Sequence, residues 1–291
     1  RLTKLMMGAL PGALKPHGVD MCTLVPGYPK VLSGLKDQET VLELPAMFGG
    51  PARILAGKAS GLKLFVLDAP HLYVRDGGLY GDSTGKDWAD NWLRYGALSQ
   101  AAAQFAEGRI AGFVPDLVHA HDWQAGLVPA YLKYSNSSNV PSIITVHNLA
   151  FQGRYGADIF PALGLPSHAF GVDGVEYYGG VGYLKAGLQA AWAVTTVSPT
   201  YAKEIRTPEF GMGLDGLLNG RASSVHGIVN GIDTDVWDPV SDTDLPANFD
   251  ANTLSKRLEN RDALVKRFGL KDNGGPLFIV ISRLTWQKGL D

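Results

Sequence analysis

Short, nearly continuous β-branched or apolar runs, spaced by helix-length segments, constrain this chain more than any other feature. Ser142–Val146 (SIITV), Ala193–Val197 (AVTTV), Asp116–Ala120 (DLVHA), Val225–Val229 and Pro276–Ser282 (PLFIVIS) are of this kind. A strand without polar alternation is buried on both faces, which is the situation of a parallel sheet covered by helices. Helical patterns fall between the runs, at Asp87–Glu107, Trp123–Tyr134 and Val181–Trp192. Ser198-Pro199 opens a further helix, with Ser as N-cap and Pro in the first turn. The alternation predicts an α/β fold with a doubly wound, Rossmann-like parallel sheet. Met21–Val25, Val41–Leu44, Ala52–Leu55 and Leu62–Leu67 also read as strands, and the last three are spaced closely enough for a hairpin insertion.

A length of 291 residues suits about two domains. Between Asp238 and Asp250 the composition shifts to Asp, Pro, Thr and Asn, as in a linker, and Leu254–Phe268 is a charged helix. The expected division is a Rossmann-like domain at 1–240, a linker and helix at 241–270, and the first strand of a second domain at 271–291. Glycine is abundant, 36 residues, as suits tight strand-to-helix turns that approach a ligand closely.

The formal charge of −2, without blocks of one sign, argues against a nucleic-acid or anionic-membrane surface. Cys22 is the sole cysteine. No intrachain disulfide is possible, and Cys22 reads as a small core residue in a reducing compartment. No apolar run reaches the ~20 residues of a membrane span, and the first residues lack a signal-peptide pattern. A cytoplasmic location is expected. Arg1 in place of Met implies an N-terminus that is not native.

Four segments put polar residues just beyond an apolar strand, the edge at which open α/β sheets bind ligands. The first is Val118–Trp123, which contains His119, His121 and Asp122. His-x-His suggests metal, but Trp123 and Gln124 stand where a hydrolase pattern needs Asp and His. His119 therefore reads as a buried, hydrogen-bonded histidine, and Asp122 also suits a helix N-cap. The second is Thr145–Leu149, with His147 able to hydrogen-bond a sugar hydroxyl or support developing charge. The third, Val229–Asp233, carries Asn230 in an Asn-Gly turn. The fourth carries Arg283 and Lys288, five apart after a strand, a fit for a diphosphate. No dinucleotide loop, Walker loop or Gly-x-Ser-x-Gly elbow occurs, which weakens oxidoreductase, NTPase and serine-hydrolase readings.

In order along the chain, DAPHLYVRDGGLYGD, DWADNWLR, DLVHAHDWQAGLVPAYLK, TVHNLAFQGRY, VTTVSPTYAKEI, TPEFGMGLDGLL, GIVNGIDTDVWDP and ISRLTWQKGLD resemble bacterial glycogen synthases and plant starch synthases, the bacterial enzymes more closely. The likeness runs from Gly8 to Asp291. It implies a GT-B fold, ADP-glucose as donor, the non-reducing end of an α-1,4-glucan as acceptor, retention of configuration, and neither metal nor other cofactor. It implies that His147 holds the donor glucose in the cleft and that Asp122 and Asn230 surround the glucose and acceptor. Trp88 takes the place of an aromatic offered to the acceptor, and Arg283 and Lys288 that of the pair gripping the ADP phosphates. Family members open with a strand and a Lys-Thr-Gly-Gly-Leu loop followed by Asp; alignment puts Leu5 at that Asp and the lysine before Arg1. Most of a second domain is likewise absent. The expectation is a chain truncated at both ends, inactive in isolation, with an unpaired strand at 276–282. The alternatives are a non-catalytic glucan-binding remnant, a sucrose- or trehalose-phosphate-type synthase, and the metal-dependent hydrolase.

Overall fold

In a computed structural model, residues 2–135, 137–282 and 289 are described, with backbone alone for 2–7. The chain divides into two units, Arg1–Asn230 and Gly231–Asp291.

The first unit opens with α1 (Leu2–Leu14) and builds a mixed sheet. Its strands are β1 (Thr23–Pro26), β2 (Lys36–Met47), β3 (Gly50–Ala59) and β4 (Leu62–Asp68), in the order β1-β4-β3-β2. β1 runs parallel to β4, while β2, β3 and β4 form an antiparallel meander, the expected hairpin insertion. Short helices α2 (Pro29–Gly34) and α3 (Pro70–Tyr73) flank it. Cys22 lies half-buried just before β1 rather than in the core.

Helix α4 (Asn91–Ala106) begins four residues later than the sequence pattern suggests. The cause lies outside the segment: Asp90, at the N-cap, turns its carboxylate to Arg75 in a two-pronged ion pair (2.8 and 2.7 Å) and leaves the helix end without a side-chain cap.

The second sheet is wholly parallel. It comprises β5 (Val118–His121) and β6 (Ser142–Val146), with β10 (Ala193–Thr196) and β11 (Val225–Gly227) further along the chain, in the order β11-β10-β6-β5. Instead of one helix over Trp123–Tyr134, a 3₁₀ turn at Trp123–Ala125 precedes α5 (Val128–Tyr134). Pro129 sits in the first turn of α5; its ring would clash with the carbonyl of Ala125 in a continuous helix. Between β6 and β10 lie β7 (Arg154–Tyr155), β8 (Glu176–Tyr177) and β9 (Gly180–Gly182), a small antiparallel sheet, and then α6 (Tyr183–Ala190). α7 (Pro199–Glu204) starts as expected: the Ser198 side chain accepts from the Tyr201 N–H at 3.2 Å, with Pro199 at N1. α8 (Asp215–Gly220) follows.

One face of the parallel sheet is apolar. Ile144, Val146 and Val194 are fully buried, as are Leu184 and Leu188 of α6; each is worth ~1.5–3 kcal/mol of burial. The approach is close enough that a Cβ on Gly187 would lie 2.5 Å from Ile144 Cδ1, and one on Gly126 2.3 Å from the Tyr183 carbonyl. The opposite face carries His119, His121, Thr145 and Thr195, so these strands are not apolar throughout.

The second unit holds α9 (Arg257–Phe268), ended by Gly269 in the left-handed conformation (φ 60°). Arg261 pairs with Asp272 through two bonds (2.8 and 2.7 Å), and Asn260 exchanges two bonds with the Ala247 backbone (2.9 and 2.8 Å). Residues 276–282 form no strand. Apart from half-buried Leu277 they are exposed, Ile281 at 92%, and among the described residues of this unit no segment offers a ladder partner. No helix among the described residues is long and apolar enough to cross a membrane.

Candidate active site

The carboxyl ends of β5 and β6 lie side by side, so the residue that follows each strand faces the same edge. Asp122 follows β5 and His147 follows β6. The structure brings the two together: Asp122 Oδ1 accepts the backbone N–H of His147 at 2.8 Å, and the Asp122 N–H donates to Thr145 O at 2.9 Å. Asp122 thus occupies an N-cap position without capping through its side chain. Reaching across requires φ 53°, ψ −170°, a region that costs a non-glycine residue ~1–3 kcal/mol and is concentrated at functional sites.

Behind this pair is a row of polar side chains. His119 and His121 alternate on β5, as do Thr145 and His147 at the end of β6, so all four share a face. The His119 and His121 rings stack with centroids 4.2 Å apart, and His121 stacks on His147 at 5.4 Å. His121 Nδ1 lies 3.1 Å from His147 Nε2. His119 Nε2 lies 2.6 Å from Thr145 Oγ1, which lies 2.6 Å from Thr195 Oγ1 on β10. His119 is therefore the hydrogen-bonded histidine its context suggested. Burial, the chief cause, lowers all three imidazoles: His119 to about 4, His121 to about 3, and His147 below its ordinary value against the opposing pull of Asp122. At neutral pH the row is uncharged and works by hydrogen bonding. Among the described residues no group of three or more His, Cys, Asp or Glu could hold a metal ion, and stacked rings do not converge their lone pairs on one point.

Loops frame the edge. The Leu149 N–H donates to Tyr201 Oη at 2.9 Å, while Gln152 Nε2 (3.1 Å) and Tyr177 Oη (3.2 Å) both donate to Met212 O. Met212 itself adopts φ 49°, next to Gly213 at φ 82°. Gly153 lies so close to the Trp123 ring that a Cβ would approach it to 2.4 Å.

Asn230 lies half-buried in the loop beyond the carboxyl end of β11, a strand two places from β6 in the sheet. Trp88 is held by its own loop. Its Nε1 donates to Gly78 O at 3.3 Å, and the Arg75 guanidinium covers the ring at 5.0 Å. That loop is anchored by α4. Buried Arg94 donates to the carbonyls of Leu72 and Leu79 (both 3.0 Å), and Asn91 Nδ2 donates to Tyr80 O at 2.8 Å. The loop neighbours Asp122, whose charge, after burial and Tyr28, helps push up the Tyr80 phenol. Arg283 and Lys288 lie outside the described residues. Sequence reasoning weighed His121 only as half of a His-x-His metal pair and gave no part to Thr145 or Thr195. The alternation of His119 with His121 and of Thr145 with His147 was the available signal.

A parallel Rossmann-like sheet with polar residues gathered on its carboxyl edge is the architecture of one domain of the GT-B fold. Residues 5–220 match the starch synthase catalytic domain family, and the chain belongs to it. It is 60% identical to a glycogen synthase of Mesorhizobium japonicum over 98% of its own length and 59% of that protein's. With a glycogen synthase of Rhizobium tropici it shares 55%, over 98% of this chain and 60% of that one. The catalytic domain of starch synthase IV from Arabidopsis thaliana, bound to ADP and acarbose, superposes with a TM-score of 0.75 at 30% identity, over 92% of this chain and 56% of that one. The chain thus spans about 59% of the length of the first of these relatives.

Proposed function

We propose that this chain supplies the sugar-side half of a retaining glucosyltransferase that moves glucose from ADP-glucose to the non-reducing end of an α-1,4-glucan. The observation that carries the reading is the junction of Asp122 and His147 at adjacent strand ends, inside a starch synthase catalytic domain. The Arabidopsis relative bound to ADP and acarbose supports both substrate classes.

The chemistry divides accordingly. Glycosyl transfer builds positive character on the sugar while the diphosphate leaves as an anion. A neutral His147, with its backbone fixed by Asp122, orients the glucose through hydrogen bonding. Asn230 adds a second neutral group on that edge, and Trp88 offers an apolar face to the acceptor. Arg283 and Lys288 take the charge of the leaving ADP. Neither a metal ion nor another cofactor is part of the scheme, and the setting is the cytoplasm. Residues 1–240 form the acceptor-side domain, 241–270 the connection, and 271–291 the start of the nucleotide-side domain.

The test is ADP release from ADP-glucose, dependent on added glycogen, by the intact gene product. His147→Ala should lower kcat ~10²–10³-fold, the cost of removing one preorganised hydrogen-bonding group. Near-normal turnover in that variant would remove His147 from the mechanism. Glycogen retention without any ADP release would favour a non-catalytic glucan-binding protein.

A further inference from the structure

An asparagine that makes a turn through its side chain uses the oxygen of its carboxamide and leaves the NH2 end free. Asn148 is such a residue. It lies in the loop beyond the carboxyl end of β6, the edge at which open α/β sheets bind ligands. Its Oδ1 accepts the Ala150 N–H at 3.0 Å, and its backbone carbonyl accepts the Phe151 N–H at 3.3 Å. On either side of it the N–H of His147 is held by Asp122 Oδ1 at 2.8 Å and the N–H of Leu149 by Tyr201 Oη at 2.9 Å. The turn is thus pinned at residues 147, 149, 150 and 151 without any use of Asn148 Nδ2. That nitrogen donates to no described residue, yet it is not among the buried side-chain atoms that lack a partner. Asn148 is half-buried, so solvent and ligands reach it. Aspartate or serine would make the same turn through one oxygen. What asparagine adds is a neutral pair of N–H donors, and their direction is preset because the other end of the carboxamide is bonded.

We propose that Asn148 is a further sugar-binding residue, donating through Nδ2 to a hydroxyl oxygen of a hexose held at this edge. The proposal rests on the reading of the edge as the sugar side of a glucosyltransferase. A preorganised neutral donor suits a ligand made of hydroxyl groups, because the group needs no reordering when the ligand arrives. Two hexoses share that chemistry, the glucose of the donor and the terminal glucose of the glucan, and kinetics separates them.

The experiment is Asn148→Ser, with Asn148→Ala beside it, in the intact gene product. Serine keeps an oxygen for the Ala150 N–H but has no group that reaches as far as Nδ2, whereas alanine loses the turn bond as well. Glycogen-dependent ADP release should show kcat/KM lowered ~2- to 13-fold in Asn148→Ser, the loss of one neutral hydrogen bond, with Tm close to that of the unsubstituted protein. A rise confined to KM for ADP-glucose assigns the bond to the donor glucose, and a rise confined to KM for glycogen assigns it to the glucan end. Unchanged kcat/KM in either variant would overturn the proposal. A loss in Asn148→Ala alone does so too, since it follows the turn and not the amide. If the unsubstituted protein releases no ADP, the transferase reading falls and Asn148 is judged by binding. Its Kd for maltoheptaose should then rise ~2- to 13-fold in Asn148→Ser, and an equal Kd would sink the proposal.

Discussion

Burial of neutral histidines makes stability depend on pH, and the stack at β5 lets the size be worked out. The His121 imidazole is depressed from its ordinary 6.5 to about 3, first by burial and then by His119 and His147. The unfolded chain therefore binds a proton near pH 6.5 that the folded chain refuses until about pH 3. Stability from this group is complete above pH 6.5 and is lost as pH falls below it. At pH 5 the unfolded imidazole is favoured by protonation about 30-fold and the folded one hardly at all, a loss of about 2 kcal/mol relative to pH 7. The clean perturbation is His121→Asn, which keeps a polar group at the site but does not titrate. His119 is lowered by burial and by His147, so its share cancels in the comparison. Urea unfolding of both proteins at pH 7, 6 and 5 should show the unsubstituted chain losing about 2 kcal/mol more than the variant over that range. Equal pH slopes would refute the argument, since they would mean that His121 takes up its proton in the folded state as readily as in the unfolded one.

Asp122 sets backbone strain against a hydrogen bond, and two substitutions separate them. Asp122→Ala keeps φ 53° and loses the bond to the His147 N–H, so it should cost ~1.5–3 kcal/mol in urea unfolding. Asp122→Gly loses the same bond but relieves ~1–3 kcal/mol of strain; a glycine variant as unstable as the alanine one would show that the strain is absent. Trp88→Ala removes an aromatic platform worth ~0.5–1.5 kcal/mol to a stacked sugar ring. In the intact protein it should raise KM for glucan ~2- to 13-fold with kcat nearly unchanged, and an unaltered KM would exclude it from the acceptor site.

The strands that carry the site were legible within about two residues because their apolar, β-branched runs leave few other structures open. Ser142–Val146 is the clearest case, and Ser198-Pro199 marked the start of α7 through cap chemistry alone. Errors arose where a residue's partner lies far away in sequence. Asp90 looked like the interior of a helix because nothing local shows that Arg75 claims its carboxylate. Residues 276–282 have strand composition, but composition does not supply a ladder partner, and the segment forms no strand. At the site, Asp122 and His147 were visible as polar residues at strand ends. Their bond, and the contact of His121 with His147, depend on the register of β5 against β6, which no single strand encodes.

That register also explains how the work of the site is divided. In-register pairing sets His121 opposite Thr145 and His119 opposite Ile143, which brings three imidazoles within stacking distance on one buried face. Three such rings cannot become cations together, because each added charge would be desolvated and would repel its neighbours. The imidazoles of the β5–β6 edge are thereby confined to neutral hydrogen bonding beside the Asp122 carboxylate, which suits orienting a hydroxyl-rich sugar and is poorly suited to stabilising a departing diphosphate. Cationic help must come from another element. In the proposed scheme it comes from Arg283 and Lys288, beyond the Gly231 boundary of the second unit. Replacing His119 or His121 with lysine would not transfer that role to the sheet. The ammonium would enter the same desolvated row beside His147, and the result would be an unstable fold rather than a better grip on phosphate.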